Sequence, residues 1–226
     1  EIVFGDWSSD VCSSDLLVWF YIIGAAGFIV PFTRQWFIYL IPYTILFAFV
    51  LLMLFHEGKQ ARFFFLMGFI FSASFMVEVA GVMTKAIFGD YEYGPGLGIK
   101  FLNVPLIIGI NWLMLIYCAW IISLTWVKRS WLAVPVTGII MVVFDLSLEP
   151  VAIKTGMWHW LSEGIPFQNY LVWFLLSCFF AALFAVSKTR FSNPVAVVLF
   201  VCQFAFFVIL SLRSEERRVG KECRSR

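Results

Sequence analysis

Apolar residues run through this chain in seven stretches, at about 17–30, 36–55, 62–83, 103–126, 131–149, 168–187 and 195–212, with short polar breaks between them. At ~1.5 Å of rise per residue, most are long enough to cross a hydrocarbon layer of ~30 Å. The first is short. Backbone N–H and C=O groups in lipid must pair within their own segment, so each stretch is read as a helix. The predicted fold is all-α, a polytopic transmembrane bundle of about seven helices.

Composition supports this reading. The chain is 62% hydrophobic and 13% charged and carries 27 phenylalanines, with a mean hydropathy of +0.92. That leaves too little polar material to cover a water-soluble globule of 226 residues, and an integral membrane protein is expected.

The two ends read differently. Asp6 to Leu16 is DWSSDVCSSDL and Arg213 to Cys223 is RSEERRVGKEC; both resemble translated sequencing-library adapter DNA. Residues 1–16 and 213–226 are therefore expected to be non-native, leaving 17–212 as a single transmembrane domain of a truncated gene product. A Ser-rich leader and a basic amphipathic tail are the plainer alternative. Without these ends, ten basic and seven acidic residues remain, a charge of about +3. The only basic cluster is lost, and no nucleic-acid partner is expected. Cys118, Cys178 and Cys202 are left singly in apolar stretches, which excludes a disulfide framework or a CxxC metal pair.

Loop charges suggest an orientation. Lys59, Arg62, Lys128, Arg129, Lys188 and Arg190 fall on one side, against Arg34, Lys85, Lys100 and Lys154 on the other. The richer side is expected to be cytoplasmic, with the N-terminus inside. Whichever side is which, alternating helices bring Glu78, Asn111, Asp145, Glu149 and Asn169 into the same half of the membrane. The 3–4 loop (GDYEYGPGLGIKFLNVP) and the 5–6 loop with Trp158, His159 and Trp160 cap that half.

Asp145 and Glu149, four residues apart, share one helix face about a turn apart. A charge at membrane depth costs about 2.5 to 3.5 kcal/mol on insertion scales. Two close carboxylates favour holding one proton between them, an arrangement able to donate that proton in an apolar pocket. The competing reading makes Glu149 the polar end of helix 5 with Pro150 as its stop, and Asp145 a structural hydrogen-bonding group. Glu78 is the deepest acid of helix 3, with Gly81 one turn later allowing close packing. It reads as a third acid, a partner of Asn111, or an ion-pair partner of Lys85 or Lys154.

Tyr91, Tyr93, Trp112, Trp158, Trp160 and Trp173 fit either an interfacial aromatic belt or an aromatic lining that stabilises a cation. His159 reads as interfacial or structural. His56 lies on the opposite side, so no histidine-based metal site is expected. There is no dinucleotide fingerprint, Walker loop or nucleophile elbow; YGPGLG reads as a tight turn. The last stretch lacks the buried lysine of a retinal protein.

Taken in order, Glu78 and Gly81; Phe88, Gly89, Tyr91 and Tyr93; Val104, Pro105 and Trp112; Asp145, Glu149 and Pro150; Gly156, Trp158 and Trp160; Gly164, Ile165 and Pro166; and Asn169 and Trp173 form a series of motifs over residues 70–175. In this series the chain resembles the membrane carotenoid biosynthesis proteins, the family that includes bisanhydrobacterioruberin hydratase and the carotenoid 1,2-hydratases. Glu149 stands where many members carry aspartate. The resemblance implies a cofactor-independent hydratase (a hydro-lyase) in a prokaryotic inner membrane. It would add water across the terminal C=C of an acyclic carotenoid of lycopene, γ-carotene or C50 precursor type, beside other enzymes of the pathway. It implies catalytic roles for Asp145, Glu149 and Glu78, and substrate contacts from Asn111, Trp112, Tyr91, Tyr93, Trp158, Trp160 and Asn169. No metal is implied. A small proton-coupled transporter and a noncatalytic carotenoid-binding subunit are the alternatives.

Overall fold

The computed structural model describes residues 7–58, 60–187, 189 and 191–224, with side-chain detail between residues 15 and 213. Among these are seven helices: α1 (Trp7–Ile29), α2 (Pro31–Leu54), α3 (Ala61–Thr84), α4 (Ile107–Trp126), α5 (Ser130–Thr155), α6 (Phe167–Val186) and α7 (Pro194–Arg224). Helices α2 to α7 each contain a stretch long and apolar enough to span a membrane, while the apolar part of α1, Asp15–Ile29, is shorter. The protein is an integral membrane helix bundle. Lys59, Lys188 and Arg190, on which the expected orientation partly rests, lie outside the described residues.

Helix α4 is the hub. It is apolar on every side, as a helix buried all round must be, and 83% of its spanning window is buried, against 17% for α2. Helix α5 packs along α6, α1 along α7, and α4 touches α2, α3, α5, α6 and α7.

The mouth between α3 and α4 contains more regular structure than the sequence led us to expect. Strand β1 (Tyr91–Tyr93) pairs antiparallel with β4 (Trp158–Trp160), and β2 (Lys100–Phe101) pairs with β3 (Val104–Pro105). YGPGLG contributes a single 3-10 turn, Pro95–Leu97. As a result α4 begins at Ile107, later than the apolar run at 103 suggests.

A second correction concerns α5. The apolar run ends at 149 and the competing reading makes Pro150 the stop, but the helix continues through Pro150 to Thr155 and ends at Gly156, whose φ of 70° provides a left-handed cap. The N–H that proline lacks is one hydrogen bond lost from the helix, and close packing along α6 holds the segment regardless. Glu149 is thus well inside the helix and 2% exposed.

Candidate active site

The β1–β4 ribbon organises the acid-bearing mouth. Its register pairs Tyr91 with Trp160, Glu92 with His159 and Tyr93 with Trp158. Side chains alternate faces along a strand, so the four aromatic residues turn one way, while Glu92 and His159 are exposed on the other. Two glycines permit this packing. A Cβ on Gly94 would lie 1.9 Å from the Gly156 carbonyl oxygen, and one on Gly81 would lie 2.6 Å from the Phe88 ring. Gly81 therefore lets Phe88 and its neighbour Tyr91 sit against α3, one turn from Glu78.

Glu78 is 4% exposed and accepts three hydrogen bonds. Tyr91 Oη and Tyr93 Oη donate to its Oε2 at 2.6 and 2.8 Å, and Trp112 Nε1 donates to its Oε1 at 2.7 Å. Asn111 and the two lysines were the sequence-based partners. Lys85 instead pairs with Asp90 at 2.9 Å, because the αL turn after α3 carries it toward the surface loop. Burial, with Glu78 beside them, pushes the Tyr91 and Tyr93 phenols well above their ordinary range, so both remain O–H donors.

Glu149 is held differently. Trp158 Nε1 and Trp160 Nε1 both donate to its Oε2 at 3.0 Å. Asp145, fully buried, receives Asn169 Nδ2 on Oδ2 at 2.8 Å, and its Oδ1 has no partner among the described residues. Asn169 occupies the first turn of α6. Next to it, Gln168 Nε2 bonds to the carbonyls of Ala86 and Ile87, tying α6 to the segment that leads into β1.

A pocket of about 40 Å³ lies among these groups, with Glu78, Glu149, Asn111 and Asn169 in its wall beside Tyr91, Tyr93, Trp112, Trp158 and Trp160. That is room for a water molecule with polar partners. Trp112 packs against Trp173 with ring centroids 4.2 Å apart and the planes tilted by 32°, and Trp173 also lines the pocket. Of the ten residues expected to be catalytic or to contact substrate, Asp145 alone is not in the wall; it sits behind, connected through Asn169.

A second pocket of about 320 Å³ is almost wholly apolar and lies between α1, α2, α4, α5 and α7. Ile108, Asn111, Leu148 and Trp158 belong to both walls. Sequence reasoning did not find this pocket, nor Tyr21 and Gln203 within it. The polar breaks at these two positions, in otherwise apolar helices, were the signal available.

The fold and the pocket together define an integral membrane protein with buried carboxylates, held by aromatic donors, next to an apolar chamber. The family described as "Carotenoid biosynthesis protein" matches residues 36–217, and the chain belongs to that family. It is also 29% identical, over 110 residues, to bisanhydrobacterioruberin hydratase of Haloarcula japonica; the match covers 45% of this chain and 38% of that relative's length. No solved structure matches the chain.

Proposed function

We propose that this protein is a hydratase that adds water across the terminal C=C of an acyclic carotenoid end group, with Glu149 as the proton donor. The observation that carries this reading is the pair of adjoining pockets: one small, polar and flanked by Glu78 and Glu149, the other large and apolar, sharing Ile108, Asn111, Leu148 and Trp158. An apolar chain end lying in the larger pocket reaches the carboxylates of the smaller one. Family membership and the hydratase relative support the same reading over a transporter.

In the proposed reaction, Glu149 gives its proton to the less substituted alkene carbon, using the π pair to form the new C–H bond. A tertiary carbocation results. The rings of Trp112, Trp158 and Trp160 offer electron-rich faces to it, and Glu78, whose three donors match the ionised form, offers a fixed negative charge. Water held by Asn111 and Glu78 attacks the cation. Its surplus proton passes to Glu78 and returns through pocket water to Glu149. No bond is oxidised or reduced, so this reaction class requires no cofactor. Asp145 acts through Asn169 and its neighbour Glu149, as a positioning residue and the second carboxylate of the pair.

The test is expression in cells that make lycopene or γ-carotene, with pigments analysed by mass. A product heavier by one water is expected. An unchanged pigment profile, despite folded protein in the membrane, sinks the reading.

A further inference from the structure

The loop between α3 and α4 turns back along the helices before α4 begins. A Cβ on Gly98 would lie 3.5 Å from Pro42, and the Phe101 and Phe75 ring centroids are 6.4 Å apart. Pro42 comes eleven residues after the mouth-side end of α2 at Pro31, and Phe75 nine before that of α3 at Thr84, so at 1.5 Å per residue the loop reaches roughly 14 to 16 Å below both ends. There it forms the β2–β3 hairpin. The Leu106 N–H donates to the Ile99 carbonyl at 3.0 Å, and Pro105, opposite Lys100, has no N–H; both features keep backbone donors from facing lipid unpaired. Val104 and Pro105 are buried, whereas Ile99, Phe101, Leu102 and Leu106 are exposed, Ile99 by 79% and Phe101 by 57%. They continue the lipid-facing side of α3, where Phe69 and Met76 are exposed too. Leu102 and Asn103 make the turn with φ of 51° and 66°, a left-handed pair for which asparagine and glycine are the easy residues. A leucine strained at that tip points to a use for its side chain.

We propose that the hairpin Ile99–Leu106 is a lipid anchor: Phe101 and Leu102 enter the acyl chains beside α3, and Lys100 takes the phosphate of an anionic phospholipid above them. The bilayer is the occupant because the apolar tip is continuous with the surface of a membrane-spanning helix, and the cation beside it complements a phosphate. Lys85 and Arg34, near the same mouth, are engaged with Asp90 and with the Lys154 carbonyl. Lys100 Nζ donates to the Tyr93 carbonyl and has two further N–H groups for the lipid. Tyr93 in turn donates to Glu78. Lys100 is thus a positioning residue: bound lipid steadies the strand that holds Tyr93 on the carboxylate.

The experiment uses the full chain in phosphatidylglycerol-containing vesicles. The photo-crosslinker p-benzoylphenylalanine, placed at Phe101, should form adducts with lipid acyl chains as it does at Phe69 of α3, and should form none at Glu163 in the 5–6 loop. Labelling at position 69 without lipid adducts at position 101 overturns the anchor. In detergent micelles, phosphatidylglycerol binding is followed by the rise in melting temperature as that lipid is added. Lys100→Gln should weaken it about fivefold, the usual worth of one cation beside anionic lipid, and Lys100→Arg should retain it; unchanged binding in Lys100→Gln overturns the phosphate contact. For the positioning role, wild-type hydration should rise with the phosphatidylglycerol content of the vesicles, and Lys100→Gln should be indifferent to it. A wild type equally indifferent overturns the link to Glu78. Crosslinking and lipid binding need no turnover, so a chain that hydrates nothing yet passes both would sink the hydratase reading and leave the anchor standing.

Discussion

The two ends of the bundle both bury polar side chains, but with opposite results. At the end away from the carboxylates, His56 Nδ1 and Tyr117 Oη are 2.7 Å apart, and Asn193 Nδ2 donates to the Leu52 carbonyl at 2.7 Å and to Tyr117 Oη at 3.2 Å. His56 also stacks on Phe63, with ring centroids 3.7 Å apart. These groups pin the end of α2 and the start of α7 to α4. At the other end, Glu78 and Glu149 border a pocket with Asp145 behind it, and aromatic O–H and N–H groups hold Glu78 and Glu149. On the proposed function, the first set of buried polar groups is structural and the second, around open volume, is where the chemistry occurs.

This contrast can be tested by substitution. The largest effect should come from Glu149→Gln, which keeps the hydrogen bonds to Trp158 and Trp160 possible but removes the proton donor. Product formation should fall by about 10²- to 10⁴-fold, the usual worth of general acid catalysis, with membrane insertion unchanged. Retained turnover would make Glu149 structural, like the polar groups at the opposite end. Next comes Glu78→Gln. Its amide nitrogen brings a donor to a place where three donors already converge, so thermal stability in detergent and turnover should both drop, stability by about 1–3 kcal/mol. Asp145→Asn, behind the pocket, should cost less turnover than Glu149→Gln, because Asp145 acts through Asn169. An equal or greater loss would move the proton donor to Asp145. Smallest in turnover is His56→Ala. It should lower the melting temperature through loss of a buried, stacked ring while hydration per folded molecule stays the same. A selective loss of hydration there would dissolve the distinction between the two ends.

The bundle was legible because spanning helices carry a strong periodic and compositional signal: all seven apolar runs fall on helices, and alternation alone led us to expect Glu78, Asn111, Asp145, Glu149 and Asn169 at one end of the bundle, where four of them line one pocket and Asp145 bonds to Asn169. The ribbon was not read. Tyr91-x-Tyr93 and Trp158-x-Trp160 have the two-residue period of strands, yet at two or three residues each they were too short to compete with an interfacial belt as an explanation. Glu149 looked like a helix end because Pro150 follows it; only packing against α6 shows that the helix continues. The separation of Asp145 from the pocket wall could not be read from spacing, since both acids share a helix face and differ only in which neighbour each meets.

The central claim is that a proton from Glu149 is delivered to carbon before water is captured. The most direct measurement is to run the reaction in D₂O with wild type and Glu149→Gln and examine the product for carbon-bound deuterium. The account predicts one non-exchangeable deuterium per hydrated end, on the carbon adjacent to the new tertiary alcohol, from the wild type, and product formation reduced at least a hundredfold in the variant. An alcohol formed without carbon-bound deuterium, or formed equally well by Glu149→Gln, would contradict it.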